Sequence, residues 1–380
     1  MSTPIPPRFN RRTFLAGTGV LGLGAFIGSS TLLSACGDDG GGSGGKSLFF
    51  ENWSEYIDGE TAAAFAKDTG IDFKYTEAYL DNDDYFAKVQ PLLSKGDKID
   101  PDILPPTTWM AARYIKLGWA QKLPLDKIPN AKNLREDLVK PPWDPTGEFT
   151  LPWQTGMTGI AYNLKATGGK ELKSVADVFD PQWKGKVSML TEMRDTIGLI
   201  LLAEGKDPSK ITTYDEAAGA FDKLEKAKND GQIRQFTDNS YVVDLNAGNF
   251  AVSIAWSGDV LAGVDNPDVR FVFPEEGAMS WGDVMIWVKG SEKGDAVAKW
   301  MDYVYDPKNA ARITAGIQYV PPVKGVKEEM IKMGGDAATL AESPLLFPDD
   351  ATLKKLHPFG DLSEEEEEKF DIRFQEITGA

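Results

Sequence analysis

Cysteine and histidine are almost absent from this chain of 380 residues, which contains one of each, Cys36 and His357. This scarcity excludes a cysteine-rich zinc site, a framework of disulfide bonds and the haem attachment motif that needs two cysteines beside a histidine. His357 precedes Pro358 in a C-terminal stretch that we expect to be an exposed loop. The sequence therefore predicts a protein that holds no metal and no cofactor.

Basic residues are also few, since 41 Lys and Arg stand against 58 Asp and Glu, a net charge of -17. A field of this sign repels nucleic acid and anionic lipid and attracts cations. The composition, 42% hydrophobic and 26% charged, is that of an ordinary globular protein long enough for two lobes. No stretch after residue 36 is apolar enough to span a bilayer. A nucleic-acid binder is thus excluded, and a cationic partner is favoured.

The first 36 residues have the pattern of an export signal. Residues 10–15, NRRTFL, contain a pair of arginines, and an apolar, glycine-rich run over 14–33 leads to the small residues before Cys36. This segment resembles a bacterial twin-arginine lipoprotein signal. The resemblance implies a signal peptide over 1–35, a lipid on the sulfur of Cys36, and a flexible Gly-rich tether over 36–46. The alternative, a transmembrane anchor, is disfavoured by the many glycines in the run.

Two glycine-rich stretches match nucleotide-binding motifs. Residues 17–22 fit the dinucleotide fingerprint, and residues 40–47 fit the phosphate-loop pattern GxxxxGK[ST]. A phosphate loop must follow a buried strand and begin a helix, whereas the first match lies in the signal and the second follows the lipid site. Neither is interpreted as a nucleotide site.

Beyond the tether, short β-rich runs alternate with helical periodicity, which predicts an α/β fold. The expected strands are 47–50, 71–76, 102–104, 159–163, 185–190, 250–256 and 284–288. The expected helices include 59–67, 83–95, 110–117, 195–203 and 215–228. Ser363 and the five glutamates after it predict the cap and first turn of a last helix.

Three clusters pair a tryptophan with an acid at the end of a predicted strand, where open α/β sheets bind ligands. They are 52–56 (NWSEY), 256–259 (WSGD) and 280–283 (SWGD), the last just before Val284. A carboxylate offers a protonated amine a charge-assisted hydrogen bond, and an aromatic face adds cation–π attraction while covering methylene groups. A sugar uses the same groups, because rings stack on it and acids accept from its hydroxyls. The clusters alone leave both ligands open.

The landmarks resemble, in order, the spermidine/putrescine-binding proteins of bacterial ABC importers over nearly all of residues 47–380. The stretches are NWSEY at 52–56, DILPPTT at 102–108, LTEMRD at 190–195, WSGD at 256–259, WGD at 281–283 and GIQYVPP at 316–322. The resemblance implies a two-lobed periplasmic-binding-protein fold of the type II kind, with a hinge and a ligand cleft between the lobes. Lobe one is expected over 47–152 plus 283–325, and lobe two over 153–282 plus 326–380.

The same resemblance implies the residues of the site. An aromatic box around the aliphatic part of the ligand would consist of Trp53, Tyr56, Trp256, Trp281 and Tyr319. The amines would be bound by Glu55, Asp283 and one or both of Glu192 and Asp195, with Ser54 as a lesser polar contact. Thr108, which stands where the family has a tyrosine, is expected as a further ligand contact.

The predicted function is capture of spermidine or putrescine by a monomeric, lipid-anchored protein on the outer face of the cytoplasmic membrane. The closed protein would deliver its ligand to a membrane permease that is served by an ATPase on a separate chain. It would not be an enzyme. The alternatives are a sugar-binding lipoprotein and a glycoside hydrolase, which needs two carboxyl groups about 5 to 9.5 Å apart.

The lipoprotein prediction is checked by the intact mass of the protein extracted from membranes. We expect the mass of a chain that begins at Cys36 and carries lipid, and we expect the Cys36→Ser variant in the soluble fraction. An unmodified Cys36 in the wild-type protein would refute lipidation.

Overall fold

The computed structural model describes residues 3–4, 47–79 and 81–379. Apart from Thr3 and Pro4, the predicted signal peptide lies outside these residues, and so does the tether with Cys36. Within the described ranges, no helix combines the length and the apolar character needed to cross a membrane.

Strands and helices alternate along the chain, as the sequence predicts. In the described residues the strands are β1 (Thr3–Pro4), β2 (Ser47–Trp53), β3 (Asp72–Tyr79), β4 (Ile103–Leu104), β5 (Ala120–Gln121), β6 (Thr150–Asn163), β7 (Val187–Leu190), β8 (Ile233–Thr237), β9 (Val252–Trp256), β10 (Val269–Val272), β11 (Ala278–Val288) and β12 (Leu356–His357). The α-helices are α1 (Thr61–Thr69), α2 (Asn82–Leu93), α3 (Thr108–Lys116), α4 (Met193–Ala203), α5 (Tyr214–Asn229), α6 (Tyr241–Ala247), α7 (Ser257–Gly263), α8 (Gly294–Val304), α9 (Pro307–Ile317), α10 (Val326–Met333), α11 (Gly335–Leu340), α12 (Asp350–Leu353) and α13 (Glu364–Thr378). Short 3₁₀ helices occupy Leu125–Lys127, Pro129–Asn133, Glu136–Leu138, Val175–Phe179, Pro181–Trp183 and Pro208–Lys210.

Local sequence sets the beginnings of two helices near the site. α2 begins after Asp81, whose carboxylate accepts from the backbone N–H groups of Asp83 and Asp84. α13 begins in the same way after Ser363, whose side chain accepts from the backbone N–H of Glu366. Glutamates fill the first turn of α13, at the positive end of its dipole. The predicted cap of the last helix is thus confirmed.

The strands form one curled sheet in the order β3-β2-β4-β11-β6-β9-β7-β8. β2 pairs in parallel with β3 and β4, and β7 pairs in parallel with β8 and β9. The long strands β6 and β11 lie between these groups, antiparallel to each other and to their neighbours β9 and β4. α1 packs on β3 of the first group, α3 packs on β5 and β11, and α4, α5 and α13 pack at the second group. The two parallel groups with their helices are the two lobes.

β6 and β11 are longer than the sequence predicts, and this changes the position of the third cluster. Glycine and proline interrupt the apolar alternation, so the pattern predicts strands only at 159–163 and 284–288. In the structure Pro152 lies inside β6, opposite Val284, where the register shifts after Asp283. The SWGD cluster therefore lies within β11, and the prediction that it precedes the strand is wrong.

A large apolar core holds the first lobe to the central strands. Phe50 of β2 is fully buried and meets Trp153 of β6 edge to face, with ring centroids 5.5 Å apart. Trp300 of α8 stacks on Phe73 of β3 at 4.4 Å. Aromatic pairs of this kind add to the free energy gained by burying apolar area. They keep the segment after β2 in a fixed position against β6.

Candidate functional site

A cavity of about 450 Å³ lies between the two lobes, lined by residues that follow β2, β4, β7 and β9 and by residues of β11. Every residue that the sequence proposes as a ligand contact is in its wall: Trp53, Ser54, Glu55, Tyr56, Thr108, Glu192, Asp195, Trp256, Trp281, Asp283 and Tyr319. The structure thus brings the predicted residues together, and their contact with a ligand stays a prediction.

Asp283 of β11 is a buried carboxyl group held by two hydroxyl donors. Tyr56 donates to its Oδ2 at 2.8 Å, and Thr107 donates to its Oδ1 at 2.8 Å. Burial raises the pKa of Asp283 to about 7, although both hydrogen bonds lower it and the charge of Asp195 raises it further. Thr107 is a site residue that the sequence analysis missed, because nothing local pairs it with a residue of β11.

Asp195, in the first turn of α4, is held in the same manner from the second lobe. Thr158 of β6 donates to its Oδ1 at 2.8 Å, and the indole Nε1 of Trp256 donates to its Oδ2 at 2.7 Å. Burial raises the pKa of Asp195 to about 6, while these two donors and the charge of Arg194 lower it. The acid predicted from the LTEMRD stretch thus lies beside the tryptophan predicted from WSGD.

Asp259, in the first turn of α7, is a third buried carboxyl group of the wall. Its Oδ1 accepts from the hydroxyl of Tyr319 at 2.7 Å, and its Oδ2 accepts from Tyr241 at 3.4 Å. Burial raises the pKa of Tyr56, and the charges of Asp283 and Asp259 raise it further. The sequence analysis places Asp259 in the WSGD cluster without proposing it as a ligand contact.

Three aromatic rings stand among these carboxyl groups. The ring of Tyr319 meets Tyr56 at 5.3 Å and Trp281 at 5.4 Å between centroids, both edge to face. Trp281 lies against Gly156, where a Cβ would come within 2.1 Å of the indole, and Tyr319 lies against Gly258, where a Cβ would come within 2.5 Å of the ring. Glycine is therefore required at both positions for the rings to lie where they do.

Trp53 and Trp256 complete the aromatic part of the wall. The indole Nε1 of Trp53 donates to the carbonyl oxygen of Pro105 at 2.8 Å, and its ring lies 4.5 Å from that of Tyr79. The indole of Trp256 is oriented by Asp195. Hydrogen bonds thus fix both indoles before any ligand arrives.

Ser54, Glu55 and Thr108 lie in the same wall and are less buried. Glu55 is exposed, and its backbone has φ of 55°, in the left-handed region that few residues other than glycine adopt. Its backbone N–H donates to Oε2 of Glu77 at 3.0 Å. Strained backbone of this kind is frequent at ligand sites.

Glu192 is the N-cap residue of α4 and shares the cavity wall with Asp81. Burial raises the pKa of Glu192 well above its usual value, and the charges of Asp81 and Asp195 raise it further, whereas Arg194 lowers it. The sequence analysis did not select Asp81, because a helix-capping aspartate is ordinary in a sequence.

A segment near the C-terminus also lines the cavity and was missed. Residues 358–361 are in the wall, and Nδ1 of His357 lies 3.0 Å from Oδ1 of Asp207. His357 is half-buried, so the expectation of an exposed loop is wrong. The segment packs closely against Ile211 at Gly360, where a Cβ would lie 2.3 Å from the carbonyl oxygen of Ile211.

The wall provides carboxylates that are hydrogen-bonded by uncharged groups. In the described residues, the donors to Asp195 and Asp283 are hydroxyls and an indole. An ionised carboxylate buried in this way is unfavourable until a cation joins it. Within the same described part of the chain, no group of acidic, His or Cys residues has a metal-binding arrangement. With its aromatic rings, the cavity suits an organic cation.

We expect Asp283→Asn to raise the melting temperature of the protein in amine-free buffer at pH 8. The raised pKa means that folding favours the protonated acid, so the ionised form costs stability above pH 7, by about 2 to 4 kcal/mol. This cost falls as the pH drops through 7 towards 4, and the gain from Asn shrinks with it.

The matched control is Asp102→Asn, because Asp102 is equally buried but accepts from Nζ of Lys293 at 3.0 Å and from the backbone N–H of Phe49 at 2.8 Å. That variant is expected to lower the melting temperature at pH 8. An equal loss of stability in both variants would contradict the account of Asp283.

The chain matches the family of bacterial extracellular solute-binding proteins over residues 60–346. It is 26% identical over 314 residues to the spermidine/putrescine-binding periplasmic protein 1 of Haemophilus influenzae, covering 82% of this chain and 83% of that protein. It is 29% identical over 324 residues to the putrescine-binding periplasmic protein of Escherichia coli, covering 80% and 83%.

Among solved structures, a spermidine/putrescine ABC transporter protein from Listeria monocytogenes superimposes with a TM-score of 0.77 at 22% identity, covering 87% of this chain and 98% of that one. This similarity confirms the predicted two-lobed periplasmic-binding-protein fold. The curated relatives are binding proteins, which confirms the prediction that the chain is not an enzyme. Because the family match spans most of its length, the protein belongs to the bacterial extracellular solute-binding protein family.

Proposed function

We propose that the protein captures a polyamine, spermidine or putrescine, between its lobes and delivers it to an ABC importer. The observation that carries this proposal is the set of buried carboxyl groups beside aromatic rings, with uncharged donors on Asp195 and Asp283. The relatives from Haemophilus influenzae and Escherichia coli, which are named for spermidine and putrescine, support the same ligand class.

Each ammonium group of the ligand would join a carboxylate. A charge-assisted hydrogen bond of this kind contributes about 1.5 to 3 kcal/mol, and a cation over an aromatic face gains about 0.5 to 2 kcal/mol. Asp283 serves one ammonium group and Asp195 another, while the methylene chain lies among Tyr56, Trp281 and Tyr319. Glu55, Glu192, Ser54 and Thr108 remain proposed contacts from the less buried part of the wall.

A neutral sugar fits this wall less well. It would hydrogen-bond to the acids but leave their charges uncompensated in a buried cavity, which is unfavourable. A glycoside hydrolase is disfavoured as well, since the relatives are binding proteins. The polyamine is therefore the ligand that the charges favour.

We further propose the setting in which the protein acts. The family is extracellular, and the lipid on Cys36 would hold the protein at the outer face of the cytoplasmic membrane. The protein would act as a monomer and pass its ligand to a membrane permease with a separate ATPase. The proposed lobes are 47–152 plus 283–325 and 153–282 plus 326–380, with one refinement: α10 packs against α9, so we assign α10 and α11 to lobe one.

Calorimetry on the domain from residue 47 onwards tests the ligand. We expect spermidine or putrescine to bind with micromolar or better affinity, and we expect Asp283→Asn to weaken binding by about tenfold or more, because one charge-assisted hydrogen bond is lost. The control is Asp180→Asn, because Asp180 is half-buried and lies outside the cavity wall, and this variant should bind as the wild type does. Heat with a sugar and none with any polyamine would overturn the proposal.

The affinity should also depend on pH. An ammonium group needs an ionised partner, and burial raises the pKa of Asp283 to about 7 and that of Asp195 to about 6. Affinity is therefore expected to fall between pH 8 and pH 5.5, by up to about tenfold per pH unit below the higher pKa. Calorimetry in two buffers of different ionisation enthalpy should detect proton release near pH 6.5. A flat affinity profile would contradict the proposed roles of these acids.

A further inference from the structure

Arg194 of α4 lies where the two lobes meet, in the cavity wall, and is not one of the ligand contacts proposed above. Its side chain is only 10% exposed. The guanidinium carbon is 3.6 Å from the ring centroid of Trp109 in α3, and Nη2 donates to Oε1 of Glu367 in α13 at 3.0 Å. α3 belongs to the first lobe, whereas α4 and α13 belong to the second. One guanidinium group therefore connects three helices across the boundary.

The charges around Arg194 also come from both lobes. Burial raises the pKa of Asp83 in α2 to about 7 and that of Asp371 in α13 to about 6. The charge of Asp371 raises the pKa of Asp83 further, and Arg194 lowers the pKa of both. Two carboxylates on opposite lobes thus repel each other when ionised, and the guanidinium between the lobes offsets this repulsion.

We propose that Arg194 is the clasp of the cleft: a positioning residue that holds the lobes closed and thereby lengthens the residence time of the ligand. Opening the lobes separates Trp109 from Arg194, while Glu367 moves with Arg194 on the second lobe. The cation–π contact therefore forms only when the lobes close. The same holds for the attraction by which Arg194 offsets the repulsion between Asp83 and Asp371. The inference rests on the proposed function, since closure over a ligand is what the clasp serves.

Arginine suits this role better than lysine. Its planar guanidinium group stacks on an indole and keeps its N–H groups free to donate in the plane, whereas an ammonium group is a compact charge without a flat face. A second contact between the lobes joins Nζ of Lys116 in α3 to Glu364 in α13 at 3.0 Å. Both of these side chains are more than half exposed, so this pair contributes little.

The test measures the dissociation rate and the affinity of putrescine and spermidine by stopped flow and calorimetry. We expect Arg194→Met to raise both the dissociation rate and the dissociation constant by about 10- to 30-fold, with an association rate within about threefold of wild type. Glu367→Gln should raise them by about 3- to 10-fold, because Glu367 no longer holds the guanidinium group in position against Trp109. Glu367 is not among the residues that line the cavity, so its effect cannot come from contact with the ligand.

Two controls separate the clasp from general loss of an ion pair. Arg373→Met removes an arginine of α13 that binds Glu225 at 2.8 Å within the second lobe, and it should leave both constants within about twofold. Arg194→Lys keeps the charge without the flat face, and it should recover only part of the affinity. Should Arg194→Met fail to fold, Glu367→Gln decides.

Small-angle scattering supplies a readout that a purely structural role would not move. At saturating polyamine, Arg194→Met is expected to have a larger radius of gyration than the wild type, and Arg373→Met the same one. The proposal that Arg194 holds the lobes closed would be overturned if Arg194→Met and Glu367→Gln both had the dissociation rates and the radii of gyration of the wild type. If the wild type binds no polyamine, the proposed function fails instead, and equal radii of the ligand-free wild type and Arg194→Met would then overturn the clasp.

Discussion

The free-energy cost of a buried carboxylate is the constraint on which the site depends. Asp283 is 5% exposed and accepts hydrogen bonds from two hydroxyl groups. These donors keep its oxygens satisfied and oriented, but they bring no positive charge. Folding therefore favours the protonated form of Asp283, whereas a bound cation would stabilise its ionised form. A binding protein uses this balance because the stability lost in the free state returns when the ligand binds.

The central strands β6 and β11 make this arrangement possible. They lie between the parallel groups of both lobes, so residues on them reach the same cavity as residues from either side. Asp283 lies opposite Gln154, just before the register shift that places Val284 opposite Pro152, and Gly156 leaves the space that the indole of Trp281 fills. An irregular, glycine-containing stretch thus places an acid and a ring where a regular strand with larger side chains would not.

The acids of the cleft differ in where their opposite charge comes from: Arg194 for one group, and the proposed cationic ligand for the other. The acids near α13 have a permanent counter-charge in Arg194, whereas the donors to Asp283 and Asp195 are uncharged. The first arrangement would join the lobes, and the second would select what enters between them. Closure and recognition therefore depend on the same electrostatic principle, that a charge removed from water needs an opposite charge beside it.

The alternation of strands and helices and the cap of α13 could be predicted from the sequence, because these are local patterns, and the resemblance to a family pointed to the residues that gather in the cavity. The full length of β6 and β11 and the partners of each acid became visible only in the folded protein. Tyr56 and Asp283 form a hydrogen bond although 227 positions separate them. Arg194 meets Trp109 only because the lobes lie together. Contacts so distant along the chain follow from the packing of the sheet, which no local pattern encodes.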